Sequence, residues 1–264
     1  MGEANRRAKK LAKMQGEQPW CIYCGGTTAG VSIDHMPPIT VCDLRQRPAG
    51  LEFLACHDCH EGTRKDDQIA GVICRSFPDP ATDATRAEVA ALMKGLANNQ
   101  PDVLQEWRPT DEQRRFAYDA GGDFRRGGAL KIGDKTHAAM LRFGARAAAA
   151  LHFAATRQIV PCGGGIWATW HTNERIIKGD FPADFADMLP PHTTLGAGTK
   201  RGLDGQFEYS SRVTDDGLMS AHMITFRLSF AIQAAVATDV ASFRRVEESK
   251  PQLIFRPGFL KGSA

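Results

Sequence analysis

The chain has 264 residues, 42% hydrophobic and 24% charged, a balance that fits a globular soluble protein and excludes a disordered or fibrous one. Its net charge of +3 is too small for whole-molecule attraction to a polyanion, so the placement of charge matters more than its sum. No apolar run approaches the roughly 18 residues needed to span a bilayer, and the basic start lacks the apolar stretch of a secretory signal, so a cytoplasmic location is expected.

Residues 1–18 carry Arg6, Arg7, Lys9, Lys10 and Lys13, with Glu3 the single acid of the first fifteen. Such an arm can track phosphates or stand as a solvated terminus. From Trp20 to about Asp67 the cysteines, histidines and turn residues are concentrated. In VSIDH, residues 31–35, apolar and polar residues alternate, which predicts a strand with one buried face; Pro37-Pro38 ends it, because proline has no N–H for a ladder. Residues 63–76 read as a helix stopped by FPDP at 77–80. Thr85-x-x-Glu88 reads as a capping box, with Val89, Leu92, Met93 and Leu96 at helical spacing behind it. Residues 101–134 are polar and glycine-rich and read as a linker. A long alanine-rich helix is predicted from about Lys135 to Thr156, followed by strands in IWATW (166–170), QFEYSSRV (206–213) and MITFRLSFAI (223–232). The expected class is α+β: a basic arm over 1–18, a metal-stapled unit over 19–76, a helix and linker over 77–134, and a C-terminal α+β domain over 135–264.

Seven cysteines, an odd number, point to metal ligands plus free thiols rather than to a disulfide framework. Cys21-x-x-Cys24, followed by Gly25 and Gly26, is one knuckle pattern, and Cys56-x-x-Cys59 is a second. Four thiolates in two such pairs suit tetrahedral Zn²⁺, and a unit of about 50 residues needs such a staple because its own core is marginal. Asp34 and His35 lie between the knuckles, so closing that site brings the strand end toward the helix that begins near Cys56. His60, on that helix, leans toward it. Asp34 and His60 are then candidate ligands of a second, hard cation, and His35, without a ligand duty, is the candidate general base. With Arg64 and Lys65 one turn further on as phosphate contacts, the set suits phosphodiester hydrolysis.

Taken together, Cys21-x-x-Cys24, Asp34-His35 with Pro37-Pro38, and Cys56-x-x-Cys59-His60 followed by Arg64-Lys65 resemble the HNH endonuclease family, with its ββα-metal fold. The resemblance covers about residues 18–68. It implies a metal-dependent endonuclease that hydrolyses DNA to 3′-hydroxyl and 5′-phosphate ends. By that resemblance Asp34 and His60 hold Mg²⁺ or Mn²⁺, His35 activates water, and Cys21, Cys24, Cys56 and Cys59 hold a structural Zn²⁺. The family often has an Asn about five residues before the second CxxC; here PAGLEFLAC places Leu51 and Glu52 there. That departure defines the alternative, a zinc-dependent nucleic-acid-binding or interaction module without cleavage activity. The implied partner is nucleic acid, DNA first, with no membrane. The C-terminal domain is left to recognise substrate, bind a regulator or form a homo-oligomer.

Other residues have plainer readings. His57 is expected to face solvent, and Asp66 and Asp67 to be helix-surface acids, Asp67 within reach of Arg64. Arg142 and Arg146, four apart, are expected on a solvated helix face. Cys42, Cys74 and Cys162 read as free thiols. Trp167, Trp170, Phe207, Tyr209, Phe226 and Phe230 read as core packing. HTTLGAGTKRG (192–202), with Lys200 and Arg201, lacks the spacing of a phosphate loop.

Overall fold

The structure, a computed structural model, describes residues 2–45, 51–77, 80, 82–108, 111, 131–173, 175, 182–194 and 205–262. It is a mixed helix-and-sheet chain, as the sequence leads one to expect. The basic arm is a helix, α1 (Glu3–Glu17), most of it exposed, with Leu11, Met14 and Gln15 turned toward the body. It is fixed by Gln15 Nε2, which donates to the Gly30 carbonyl (2.8 Å), and by an ion pair from Lys10 to Glu52.

The cysteine-rich segment folds as a two-stranded antiparallel hairpin, β1 (Ser32–His35) and β2 (Glu52–Ala55), followed by α2 (His57–Gly62) and α3 (Arg64–Ser76). Helices α4 (Asp83–Asn99) and α5 (Pro101–Glu106) come next. The capping box of α4 sits three residues earlier than the sequence pattern suggests: Thr82 is the cap and Thr85 its reciprocal partner. Thr85 Oγ1 returns to the Thr82 backbone, so a hydroxyl fills the place usually taken by Glu or Gln. Most of the glycine-rich stretch read as a linker lies outside the described residues, as do Lys200 and Arg201.

The alanine-rich helix, α6 (Asp134–Thr156), is the spine of the molecule. One side packs on strands β3 (Gly165–Thr172) and β7 (Phe230–Ala237), and another packs on α3. Its small residues permit the close approach: a Cβ on Gly144 would meet Ile232 Cγ2 at 3.1 Å. The sheet beneath it is antiparallel, in the order β4-β5-β6-β7-β3-β8, with β4 at Thr193–Thr194, β5 at Glu208–Val213, β6 at Met219–Phe226 and β8 at Ile254–Phe255. The single strand expected over 223–232 is two strands joined by a tight turn, with Arg227 in the left-handed region at φ 55°. Phe207, Phe226 and Phe230 are buried, and the rings of Phe226 and Phe230 stack at 4.6 Å, as core packing requires. Short helices α7 (Ala183–Asp187) and α8 (Arg244–Ser249) flank the sheet. Residues beyond β8 return to the hairpin: Gly258 N–H donates to the Tyr23 carbonyl (2.7 Å), Leu260 is buried, and a Cβ on Gly62 would lie 2.0 Å from the Leu260 carbonyl oxygen.

Between α6 and the sheet runs a buried chain of hydrogen bonds: His152 Nδ1 with Ser220 Oγ, Ser220 Oγ with His222 Nε2, and His222 Nδ1 with Ser211 Oγ, each 2.8 Å. Burial, with neighbouring His152 adding to it, pushes the pKa of His222 down to about 3. As pH falls the unfolded chain takes up this proton first, so the group's contribution to stability is complete above about 6.5 and is lost on the way to about 3. At about 1.4 kcal/mol per unit, the loss is on the order of 5 kcal/mol. We expect the melting temperature to fall steeply between pH 6 and 4, and His222→Gln to flatten that slope; an unchanged slope in the variant would count against it.

Candidate metal centre and the Asp34 cluster

The first knuckle forms where Gly25 and Gly26 both take positive φ (72° and 70°), which turns the chain back so that Cys21 N–H donates to the Thr28 carbonyl at 2.8 Å. Ile22 N–H donates to the Leu54 carbonyl (3.1 Å), tying the knuckle to β2. Cys56 caps α2 and Cys59 lies in its first turn. The four sulfurs of Cys21, Cys24, Cys56 and Cys59 all lie within 4.8 Å of one another and are buried. Ligands of a tetrahedral ion bound through Zn–S bonds of about 2.3 Å sit about 3.8 Å apart, so the cluster has the size for a structural metal such as zinc. The crowding of the thiols shows in their acidity. A hydrogen bond from Cys59 holds Cys21 down to about 5, while that shared bond and burial push Cys59 upward. Four thiolates this close would repel one another, and a dication among them would offset that repulsion.

The hairpin register sets Asp34 opposite Phe53 and His35 opposite Glu52. Successive strand residues face opposite ways, so Asp34 turns inward and His35 outward. Asp34 is 4% exposed and richly bonded. Tyr23 Oη donates to its Oδ2 (2.7 Å), and Arg146 of α6 grips it bidentately, Nε to Oδ2 at 3.0 Å and Nη2 to Oδ1 at 2.9 Å. Burial alone would raise its pKa, but the Arg146 charge and these hydrogen bonds hold the carboxyl below its ordinary value. The same Nη2 donates to the His35 carbonyl (3.1 Å), and Nη1 pairs with Asp67. Four residues earlier, Arg142 clasps Asp66, Nε to Oδ2 at 2.9 Å and Nη2 to Oδ1 at 2.6 Å.

These pairs correct two expectations. Asp66 is buried and Asp67 largely so, neither being a helix-surface acid, and Asp67 pairs with Arg146 rather than with Arg64. Arg146 is fully buried instead of lying on a solvated face, and Arg142 is half-buried. Burial pushes Asp67 up to about 7 despite the pull of Arg146.

Of the residues singled out from the sequence, the structure brings Asp34 and His60 together: His60 Nδ1 lies 4.0 Å from Asp34 Oδ1. That nitrogen is buried and makes no hydrogen bond among the described residues. His35 is instead beside Glu52, with Nδ1 3.5 Å from Oε1, and Glu52 is shared with Lys10. Arg64 is exposed and pairs with Glu61 at 2.8 Å; Lys65 is exposed, and so is His57. Tyr23, Glu52 and Arg146 are site neighbours that spacing did not reveal. Arg146 did leave a signal, because residues 138–154 contain no charged residue besides Arg142 and Arg146. A helix apolar on every side is buried, and a charge within it must find an acid.

Between α1 and the hairpin lies a cavity of about 540 Å³ lined by Lys10, Lys13, Glu52, Phe53, Phe153 and Arg157. Among the described residues no helix is long and apolar enough to cross a membrane. Comparison of the chain with protein-family models, with curated proteins and with solved structures gives no match.

Proposed function

We propose that the chain is a metal-dependent endonuclease of the HNH type that hydrolyses DNA phosphodiester bonds, with a structural Zn²⁺ on Cys21, Cys24, Cys56 and Cys59. The observation that carries this reading is the His60 nitrogen. It is buried, has no hydrogen-bond partner among the described residues, and faces the Asp34 carboxylate from 4.0 Å, too far for a hydrogen bond. Two donors of one Mg²⁺, each bound at about 2.1 Å, lie about 3 to 4.2 Å apart, so the pair fits a shared hard cation. Asp34 and His60 would hold Mg²⁺ or Mn²⁺, which when bound offsets charge developing on the phosphate and on the leaving oxygen.

The remaining work falls to the chain itself. A neutral His35 imidazole takes the proton from the attacking water. Glu52, across the hairpin, draws the Nδ1 proton and leaves the Nε2 lone pair for that water, which gives Glu52 the orienting duty of the missing Asn. In this reading Lys10, Lys13 and Arg157, which line the cavity beside this edge, and the exposed Arg64 and Lys65 of α3 contact the phosphate backbone.

The test is plasmid cleavage with Mg²⁺ or Mn²⁺. His35→Ala is expected to lower the rate by about 10²–10⁴-fold, the usual worth of a general base, at unchanged zinc content. Equal rates in the two proteins would remove His35 from the mechanism. A second reading, a binding module without cleavage, draws on the engagement of Asp34 by Arg146 and Tyr23. It gains if zinc-loaded wild type binds DNA and does not cut it.

A further inference from the structure

We infer that Arg146 is a positioning residue of the Asp34–His60 site, so that this site is complete only when α6 of the C-terminal half is docked against the hairpin. The inference rests on the reading of Asp34 and His60 as cation ligands. One guanidinium reaches three groups. It holds both carboxylate oxygens of Asp34, accepts the pull of Asp67 on the far side, and donates to the carbonyl of His35. It thereby fixes the strand end that presents both the candidate ligand and the candidate base.

The bonding pattern fixes which oxygen faces the histidine. A carboxylate offers about four lone-pair positions. On Asp34, Oδ2 accepts from both Tyr23 and Arg146 Nε, Oδ1 accepts from Arg146 Nη2, and the backbone N–H of His35 adds a further hydrogen bond to the carboxylate. Oδ1 is the oxygen that faces His60. The planar fork thus holds Oδ1 turned toward the histidine, a task that a lysine ammonium, a point charge, cannot perform.

Docking alone does not account for Arg146. Arg142, one turn earlier on the same helix, already joins α6 to α3 through Asp66, and among the described residues it has no bond to Asp34 or His35. The two arginines form a matched pair, one holding the helices together and one reaching past the interface into the site. Arg142 is therefore a built-in control.

The experiment uses full-length, zinc-loaded protein titrated with Mn²⁺, following the electron paramagnetic resonance signal of the free aqueous ion, with plasmid cleavage read in parallel. Wild type and Arg142→Lys are expected to bind one Mn²⁺ with equal affinity, and His60→Ala to lose it. Arg146→Lys, which keeps the charge and loses the fork, should weaken Mn²⁺ binding at least tenfold at unchanged zinc content. If Arg146→Lys does not fold, Arg146→Gln with Asp67→Asn leaves no unpaired carboxylate at Asp67 and gives the same readout. Wild-type affinity in the Arg146 variant, or equal weakening by Arg142→Lys, overturns the inference while the nuclease reading stands. No Mn²⁺ binding by wild type overturns the reading and the inference with it.

Discussion

Replacing Cys59 with serine, or removing the metal with a chelator, should unfold the hairpin and α2 while the six-stranded sheet stays folded. The hairpin has two four-residue strands, and a two-stranded ribbon of that length is marginal in water on its own. Ile33, Phe53 and Leu54 are all buried, and Phe53 belongs to the core cluster that contains the four cysteines. Structural zinc sites of this kind contribute about 10–16 kcal/mol of apparent binding energy at neutral pH, far more than four buried thiols recover by hydrogen bonding among themselves. Hydrogen exchange is the direct check. Amides of residues 21–24, 32–35 and 52–59 should lose protection when the metal is withdrawn, and those of β3, β6 and β7 should keep it. Unchanged protection in the hairpin would mean that the contacts with α6 and with residues 258–260 hold it without the ion.

The second large effect is expected at Arg146. Arg146→Met should destabilise the folded protein by about 3–5 kcal/mol, because it leaves Asp34 and Asp67 buried without their cation. Arg142→Met should cost less, since Arg142 is partly exposed and water can reach Asp66 when it leaves. Much of the loss should return when Asp34→Asn and Asp67→Asn are added to Arg146→Met, since a neutral cluster of similar volume removes the unpaired charges. Asp67 gives the pH signature. Its folded pKa of about 7 lies above its ordinary value, so it favours the folded state at low pH and withdraws that support as pH rises toward 7. The penalty of Arg146→Met should accordingly be larger at pH 8 than at pH 6. Urea denaturation at the two values measures it, and a pH-independent difference would argue that Asp67 is ionised in both.

The contrast between what the sequence discloses and what it hides follows from distance along the chain. The knuckles are local patterns: each cysteine pair and its turn lie within a few residues, so the convergence of four sulfurs needs only one hairpin to form. The meeting of Asp34 and His60 follows from the same closure. Arg146 lies 112 residues from Asp34, and no spacing rule links them. What could have found it is a charge-balance argument: two arginines in an otherwise apolar helix demand two buried acids, and Asp66-Asp67 is the adjacent pair that supplies them. The division of 223–232 into two strands was hidden for another reason. The turn uses Arg227 in a left-handed conformation, with no glycine at that position to announce it.

The return of residues 258–261 onto the hairpin bears on the order in which the protein can be made. Gly258 bonds Tyr23, Leu260 abuts Gly62, and Lys261 Nζ donates to Thr28 Oγ1 at 3.4 Å, so these contacts join segments more than 190 positions apart. During synthesis the cysteine knuckles leave the ribosome well before these partners, and the surfaces around Tyr23 and Gly62 stay bare until residues 258–261 have emerged. Arg146 arrives in between. The Asp34 carboxylate is therefore gripped by its guanidinium only after residue 146 has been translated, and until then the strand end it sits on lacks that clamp.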